Sequence, residues 1–318
     1  MTTVTPIKPQ PPPTAATRGR MALANISRGR IDKPDRILVI GQEGVGKTTF
    51  AANAPAPIFI CAEDGTSHVD VARFPEPERF GDVIDAVRAL VTDPHEYQTL
   101  VIDTLDWLEP LVWAHVCESG KKPDIEAFGY GKGYIAALDQ WRALLAVIDA
   151  VRNARNMGVI LLAHAHIKTF KNPEGEDFDR YTGKLHEKAY GLIREWCDHV
   201  LFARFQTYTI EKDGRHKGIS DGARVLCTTR TAAYDAKNRA DLPPELPLSW
   251  EDFATAAKRH APASPEKFVT ECESLLPVVG DADGKLGAYL ATIRGDAAKL
   301  AHFTNRLRAK AAEKGVQS

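Results

Sequence analysis

No Cys-x-x-Cys pair occurs in this 318-residue sequence, and its five cysteines (Cys61, Cys117, Cys197, Cys227 and Cys272) lie far apart. Odd in number and scattered, they exclude a disulfide framework and offer no structural zinc site, which points to the cytosol. No apolar run approaches the length of about 20 residues that spans a bilayer. The amino terminus lacks the apolar stretch of a secretory signal. A surplus of either charge is missing too: 41 Lys and Arg stand against 42 Asp and Glu, a net charge of −1. A protein coated in basic charge for nucleic-acid binding is excluded, although a local basic patch is not. Internal repeats are absent.

What is present is a 44% hydrophobic composition, enough for one large α/β domain and a small appendage. Residues 1–20 hold Pro6, Pro9, Pro11, Pro12 and Pro13 and read as a tail unable to bury enough surface to fold. Short apolar runs at 36–40 (RILVI), 57–61 (PIFIC), 100–103 (LVID), 159–163 (VILLA) and 199–203 (HVLFA) read as buried strands. Helical spacing or composition predicts helices at 47–52, 80–92, 105–118, 134–156 and 189–195. The alternation implies a mostly parallel sheet flanked by helices. Segments 207–211 and 223–228 read as a hairpin extending one sheet edge, and 168–188 as a polar stretch. Pro243, Pro244 and Pro247 end a core of 21–249, and 250–318 reads as a helical appendage.

The most specific signal is Gly41-Gln42-Glu43-Gly44-Val45-Gly46-Lys47-Thr48, with Thr49 beside it. It fits G-x-x-x-x-G-K-[ST] between a strand and a helix. Glycines let backbone N–H groups turn onto phosphate oxygens. Lys47 is expected to reach the β- and γ-phosphates of ATP, and the Thr48 hydroxyl to bind Mg²⁺. Asp103 ends an apolar strand and is the expected second carboxylate on the metal side. Hydrolysis also needs a group that orients or deprotonates water. Glu63 follows the strand 57–61, expected beside the phosphate-loop strand, where its carboxylate would face the γ-phosphate. The alternative is a solvated acidic loop with Asp64.

These residues resemble the RecA/RadA recombinase core. Glu43 stands at the family's third loop position. Phe59-Ile60-Cys61-Ala62-Glu63 keeps the Ala-Glu of the strand that carries the family's catalytic glutamate, with Cys61 replacing its Asp. Leu100–Asp103 matches the family's Walker B strand. The layout is similar to the core-only RecA-like proteins of bacteriophages, the Sak-type single-strand annealing and recombination proteins. The residues that carry this are Pro55 and Pro57, Glu63-Asp64-Gly65, Tyr97-Gln98-Thr99, Ala163-His164, and Asp235-Ala236-Lys237-Asn238-Arg239 before Leu242-Pro243. The resemblance covers 36–247. It implies an α/β RecA-like P-loop NTPase core in the cytoplasm of a bacterial host.

It also implies further roles. His164 and His166 occupy the polar sensor position, where the family usually has Asn-Gln-type residues; a buried, satisfied imidazole is the plain alternative. Segments 119–133 and 168–188 match the family's two DNA-binding loops. The candidate contacts to single-stranded DNA are Lys121, Lys122, Tyr130 and Lys132, then Lys168, Lys171, Arg180 and Lys184. Arg230, Lys237 and Arg239 match residues that act in trans on ATP across a ring or filament of like subunits. A single-strand-binding protein is a further partner the resemblance suggests. Together these imply a slow, DNA-linked ATPase that promotes pairing or annealing of single strands. The rivals are a P-loop kinase on a small acceptor, a helicase-type motor and a nucleotide-switched scaffold. The tail segment 295–314 offers Leu300, Phe303 and Leu307 for docking on a neighbour, or reads as an ordinary solvated helix.

Overall fold

The computed structural model describes residues 25–26, 33–63, 65–212, 215–219, 222–260, 265–281, 284–294, 299–300, 303–304, 306–307 and 310–311. The expected Pro-rich tail at 1–20 lies outside them. The chain divides into two compact units, 33–262 and 263–318 together with 1–32.

The larger unit begins β1 (Arg36–Gly41), α1 (Lys47–Ala52), β2 (Pro57–Cys61), β3 (Ala72–Arg73), α2 (Phe80–Thr92), β4 (Thr99–Asp103), α3 (Leu105–Gly120) and α4 (Lys132–Arg155). It continues β5 (Gly158–Phe170), β6 (Phe178–Gly183), α5 (Glu187–Trp196), β7 (His199–Phe205), β8 (Tyr208–Lys212), β9 (Arg215–Ile219), β10 (Arg224–Cys227), β11 (Glu245–Pro247) and α6 (Trp250–His260). Nine strands form one sheet in the order β11-β10-β7-β1-β5-β4-β2-β3, with β6 paired to β5. The central strands run parallel. The core is thus the expected α/β P-loop NTPase fold, its mostly parallel sheet covered by helices on both faces.

Period-two alternation assigns each central strand to both faces. Leu38, Ile40, Ile58, Ile60, Leu100, Ile102 and Leu161 pack with apolar residues of α2, α3, α4 and α5. Ile37, Val39, Phe59, Val101, Ile160 and Leu162 pack with Phe50 and Ala51 of α1 and Phe253 and Ala256 of α6. The Phe50 ring meets Trp250 edge-on at 5.5 Å and Phe253 at 6.0 Å. This apolar contact draws α6 into the core unit, so the boundary falls after it and not at 249.

Three further expectations change. First, β2 is not beside the phosphate-loop strand, because β5 and β4 stand between β1 and β2. Second, 168–188 is not simply a polar stretch: β5 runs on to Phe170 and pairs antiparallel with β6, from Ala165↔Gly183 to Phe170↔Phe178. Third, 207–211 and 223–228 are not one hairpin. β8 pairs with β9 in a separate two-stranded sheet, while β10 joins the main sheet antiparallel to β7. Long-range pairing decides the strand order around β1 and the placement of β10 on β7, whereas β5–β6 and β8–β9 each join strands consecutive in the chain.

The smaller unit holds α7 (Pro265–Val279) and α8 (Lys285–Ile293). Cys272, Val279, Leu290 and Ile293 close a core with Leu300, Phe303 and Leu307. Those last three side chains are buried within their own unit, so they are not a docking face for a neighbour. Much of the expected tail helix at 295–314 lies outside the described residues.

Candidate nucleotide site

The phosphate loop leaves the carboxyl end of β1. A Cβ at Gly41 would stand 2.6 Å from the Ala203 carbonyl oxygen, so only glycine fits against β7 there. Gly44 (φ +68°) and Gly46 (φ +106°) adopt left-handed backbone that other residues rarely take. Gly46 caps α1 without any side-chain hydrogen bond. The first amides of α1 are thus left for another acceptor. Val45 anchors the loop in the core, while Gln42, Glu43, Gly44 and Thr49 are exposed. Lys47 is only 6% exposed. Its ammonium donates to the carbonyls of Gly41 (3.1 Å) and Gln42 (3.0 Å), across the mouth of the loop.

The Thr48 hydroxyl donates to Asp103 Oδ2 at 2.7 Å. Asp103 does not stand on the strand next to β1, since β5 intervenes. α1 leans across β5 and closes the gap. Asp103 is 1% exposed, and its Oδ1 is buried without a hydrogen-bond partner. Burial pushes its carboxyl up, against the Thr48 hydrogen bond and the Lys47 charge.

Glu63 follows β2, which runs beside β4 in register, Cys61 opposite Asp103. The Ala62 amide donates to the Asp103 carbonyl at 2.8 Å. Thr66 pins the far side of this turn: it meets Cys61 Sγ at 3.2 Å, and its carbonyl accepts from Arg73 at 2.9 Å. Burial raises the Glu63 carboxyl above its ordinary range, and the His164 charge is the leading opposing influence. Burial lowers Lys47, opposed by Asp103, Asp106, Glu63 and Glu43. Glu63 is half-buried, and Lys47 is among the charges that act on it.

Insertion of β5 has a second consequence: His164 lies opposite Gly41 in the β1–β5 register. Asp106, in the first turn of α3, accepts from the His164 backbone N–H at 2.9 Å through Oδ1 and meets His164 Nδ1 at 2.9 Å through Oδ2. Burial pushes the Asp106 carboxyl up, but the hydrogen bonds from His164 outweigh it and hold it below the usual range. The sequence reading missed Asp106. Its only local signal is an acid one turn after the Walker B strand, which an ordinary helix start explains equally well. His166 lies outside this pair, with Nδ1 buried and unpartnered.

These residues fit a nucleotide with its divalent cation. Glu63, Asp103 and Asp106 crowd one buried ammonium, so the site carries excess negative charge, and Asp103 Oδ1 has an open lone pair. No cluster of three or more His, Cys, Asp or Glu suited to a metal exists among the described residues. Such a cation would be held by Thr48 and Asp103 together with phosphate oxygens, as is usual for Mg²⁺.

Arg224 on β10 also escaped the sequence reading. Its guanidinium lies 3.0 Å from where a Gly46 Cβ would stand and stacks over Phe205 at 5.6 Å. A cation thus borders the phosphate loop from the β7 side.

One helical turn beyond Asp106, Glu109 is 5% exposed. Both its oxygens accept from the His186 backbone N–H, at 3.1 and 3.0 Å. Burial pushes its carboxyl up to about 7. The folded protein therefore binds a proton here that the unfolded chain has released above its own lower pKa. The proton's stabilising effect is complete below the ordinary glutamate range and is lost as pH rises to about 7. Glu109→Gln should flatten this window, gaining on the order of 2 kcal/mol at pH 8 relative to the parent's own loss. Urea unfolding at pH 5 and pH 8 checks it; an identical pH dependence in the variant would contradict it.

The remaining expected contacts scatter. Lys121, Lys122 and Tyr130 are exposed on the segment between α3 and α4, with Tyr130 fully so, and Lys132 is exposed at the start of α4. Lys168 pairs with Glu187 at 3.1 Å, Lys171 with Asp177, and Lys184 is exposed. Arg180 is 8% exposed and bound to Asp235, so its charge is spent inside the unit and does not face a ligand. Lys237 donates to the carbonyls of Arg194, Glu195 and Cys197 at the end of α5. Arg239 pairs with Asp198, which also holds Arg36 at the amino end of β1. Both are tied into their own subunit, at the end of the sheet away from the phosphate loop. Arg230 keeps an exposed side chain, 3.9 Å from Asp235.

No helix among the described residues is long and apolar enough to cross a membrane. Comparison with solved structures finds 146 similar chains. One is the crystal structure of the RadB recombinase, with a TM-score of 0.37 and 14% identity over 61% of this chain and 80% of that one. Among curated proteins none matches. The family model described as AAA domain matches residues 33–240, which hold the phosphate loop, Glu63, Asp103, Asp106 and His164. On that match the chain belongs to the AAA domain family.

Proposed function

We propose that this protein is a RecA-like ATPase that binds single-stranded DNA and promotes its pairing or annealing. The observation that carries the ATPase reading is the Thr48–Asp103 hydrogen bond at the mouth of the phosphate loop, with Glu63 tied to the Asp103 strand. A phosphate-binding turn alone fits any nucleotide protein. A loop hydroxyl already joined to a buried carboxylate, with Glu63 following the strand paired to that carboxylate's own, supports a hydrolytic reading.

In this reading the loop amides and Lys47 hold the phosphates, and Thr48 and Asp103 hold the cation. Bound Mg²⁺ would offset phosphate charge. Glu63 orients the attacking water and accepts its proton. The raised Glu63 carboxyl suits proton uptake near neutral pH better than an ordinary one. No arginine-rich lid of the kinase type occurs among the described residues, and the scaffold reading leaves the half-buried Glu63, beside the Asp103 strand, without a role.

The DNA part rests on the resemblance and on the exposed Lys121, Lys122, Tyr130 and Lys132, whose charges and ring suit phosphates and unstacked bases. ATP hydrolysis is expected to rise when single strands are added. A rate indifferent to DNA, with hydrolysis intact, would remove the DNA reading and leave the ATPase. Head-to-tail assembly would bring Arg230 of one subunit to the nucleotide of the next. Mixing Arg230→Ala with Lys47→Ala subunits is expected to restore part of the rate that each lacks alone. No recovery in the mixture would count against a trans role.

A further inference from the structure

Outside the nucleotide site, one carboxylate gathers three guanidiniums. Asp235, in the segment between β10 and β11, accepts from Arg180 of β6 at 3.1 Å through Oδ1 and from Arg194 of α5 through Oδ2. Arg230 Nε lies 3.9 Å from Oδ1. The Arg180 and Asp235 side chains are 9% and 11% exposed, and Arg180 also donates to the Tyr234 carbonyl at 3.3 Å. This inner pair neutralises itself. Arg194 and Arg230 are 40% and 61% exposed and bring two more positive charges to the same carboxylate. Among the described residues the Arg194 guanidinium makes no hydrogen bond beyond the one to Asp235, and the Arg230 guanidinium makes none. Arg180 Nε is buried without a partner. Burial lowers the Arg180 guanidinium, and Arg230 and Arg194 act in the same direction against Asp235. The cluster thus holds two positive charges in excess, and like charges gathered this closely repel until an anion joins them.

The cluster does not serve the phosphate loop of its own subunit. The Tyr181 hydroxyl, next along β6 from Arg180, accepts from Gln42 Nε2 at 3.5 Å. Successive side chains of a strand point to opposite faces, so Arg180 and Asp235 lie across β6 from the loop. We propose that Arg194 and Arg230, set in place by Asp235, form a second phosphate site, for a phosphate group that carries two negative charges. A guanidinium presents a planar fork of N–H donors that matches phosphate oxygens. A dianion balances the excess of two charges, whereas a phosphodiester carries one and leaves half of it. Asp235 and Arg180 are positioning residues and do not meet the ligand. Two sources carry this chemistry: free phosphate, and the terminal phosphate of a nucleotide. The site stands whether or not the chain hydrolyses ATP, and whether or not Arg230 acts on a neighbour's nucleotide.

Arginine-selective NMR of the full chain tests this at pH 8, above the second phosphate pKa of about 6. It follows the side-chain ¹³Cζ signals of Arg194 and Arg230 as inorganic phosphate is added, with Arg194→Gln and Arg230→Gln to assign them. Both signals should shift with one common midpoint, and chloride at equal ionic strength should not shift them. Arg194→Gln should weaken the midpoint read at Arg230 by about 10-fold or more, and Arg230→Gln the midpoint read at Arg194 likewise. An unchanged Arg180 signal reports that the inner pair, and the fold around it, survives in each variant. AMP moving the same signals, with adenosine inert, would support the site and name a nucleotide as its source. Phosphate acting without AMP would support it and name free phosphate. A shift that chloride reproduces, or two unrelated midpoints, would overturn the proposal. So would dimethyl phosphate binding as tightly as phosphate, because the charge match would then be void. Lys47→Ala should leave the response of both arginines intact; a response lost in that variant would place the phosphate in the loop and refute the second site. Absence of ATP hydrolysis in the parent would sink the ATPase reading and leave this result standing.

Discussion

Glu63→Gln should leave ATP bound and cut turnover by on the order of 10²–10⁴-fold. Glutamine keeps the length and the hydrogen-bonding oxygen but cannot take a proton. The turn around Glu63 does not depend on its charge. It is held by the Ala62 amide on Asp103 and by Thr66 between Cys61 and Arg73, so the backbone should stay in place. Nucleotide affinity is expected to hold or improve, since one negative charge leaves a site already rich in carboxylates. Burial raises the Glu63 carboxyl, which fixes the sign of the pH effect. The group loses its charge at a higher pH than a free glutamate, so turnover in the parent should fall on the acid side above the ordinary carboxylate range. That limb should be missing from the residual rate of the variant. A variant with the parent rate would remove Glu63 from the mechanism and favour the nucleotide-switched scaffold.

Lys47→Ala should abolish both tight ATP binding and turnover, with a loss in rate of at least the order of 10²–10³-fold. Two effects add. The ammonium spans the loop mouth from the Gly41 and Gln42 carbonyls, the position from which it meets phosphate oxygens. It is also the buried cation that Asp103, Asp106, Glu63 and Glu43 all act upon. Without it the buried Asp103 loses its compensating charge, and removing one partner of a buried pair is costly. The variant should therefore unfold at lower denaturant as well, and a proton on Asp103 would relieve part of that cost as pH falls. Equilibrium binding of a fluorescent ATP analogue, beside urea unfolding, separates the two effects. Wild-type affinity in Lys47→Ala would mean that the loop amides hold the nucleotide unaided. Glu63→Gln and Lys47→Ala thus differ in kind: the first should bind without turning over, the second should do neither.

Much of the site was legible because its parts are local. Gly44 and Gly46 reveal themselves by the left-handed backbone a phosphate-binding turn demands, and Lys47 and Thr48 follow at fixed offsets. Asp103 is visible as a carboxylate ending an apolar strand. Runs such as RILVI and VILLA announce strands buried on both faces. α2 falls on the residues that its apolar spacing predicts, Phe80–Thr92. These are properties of a few consecutive residues, fixed by sterics and by the period of the element.

What only the tertiary structure decided is who stands next to whom. β5, far along the chain, slots between β1 and β4. That insertion separates Asp103 from the phosphate-loop strand, moves β2 further off still, and brings His164 beside Gly41 and onto Asp106. No periodicity in either segment specifies that pairing, because strand order is settled by how crossover helices cover the two faces of the sheet. The same holds for charges. Arg180, Lys237 and Arg239 read as free cations in sequence, yet each is neutralised by a carboxylate or by helix-end carbonyls of its own subunit. A side chain's chemistry is written in the residue; whether that chemistry is spent on the fold or kept for a ligand depends on neighbours that only folding supplies.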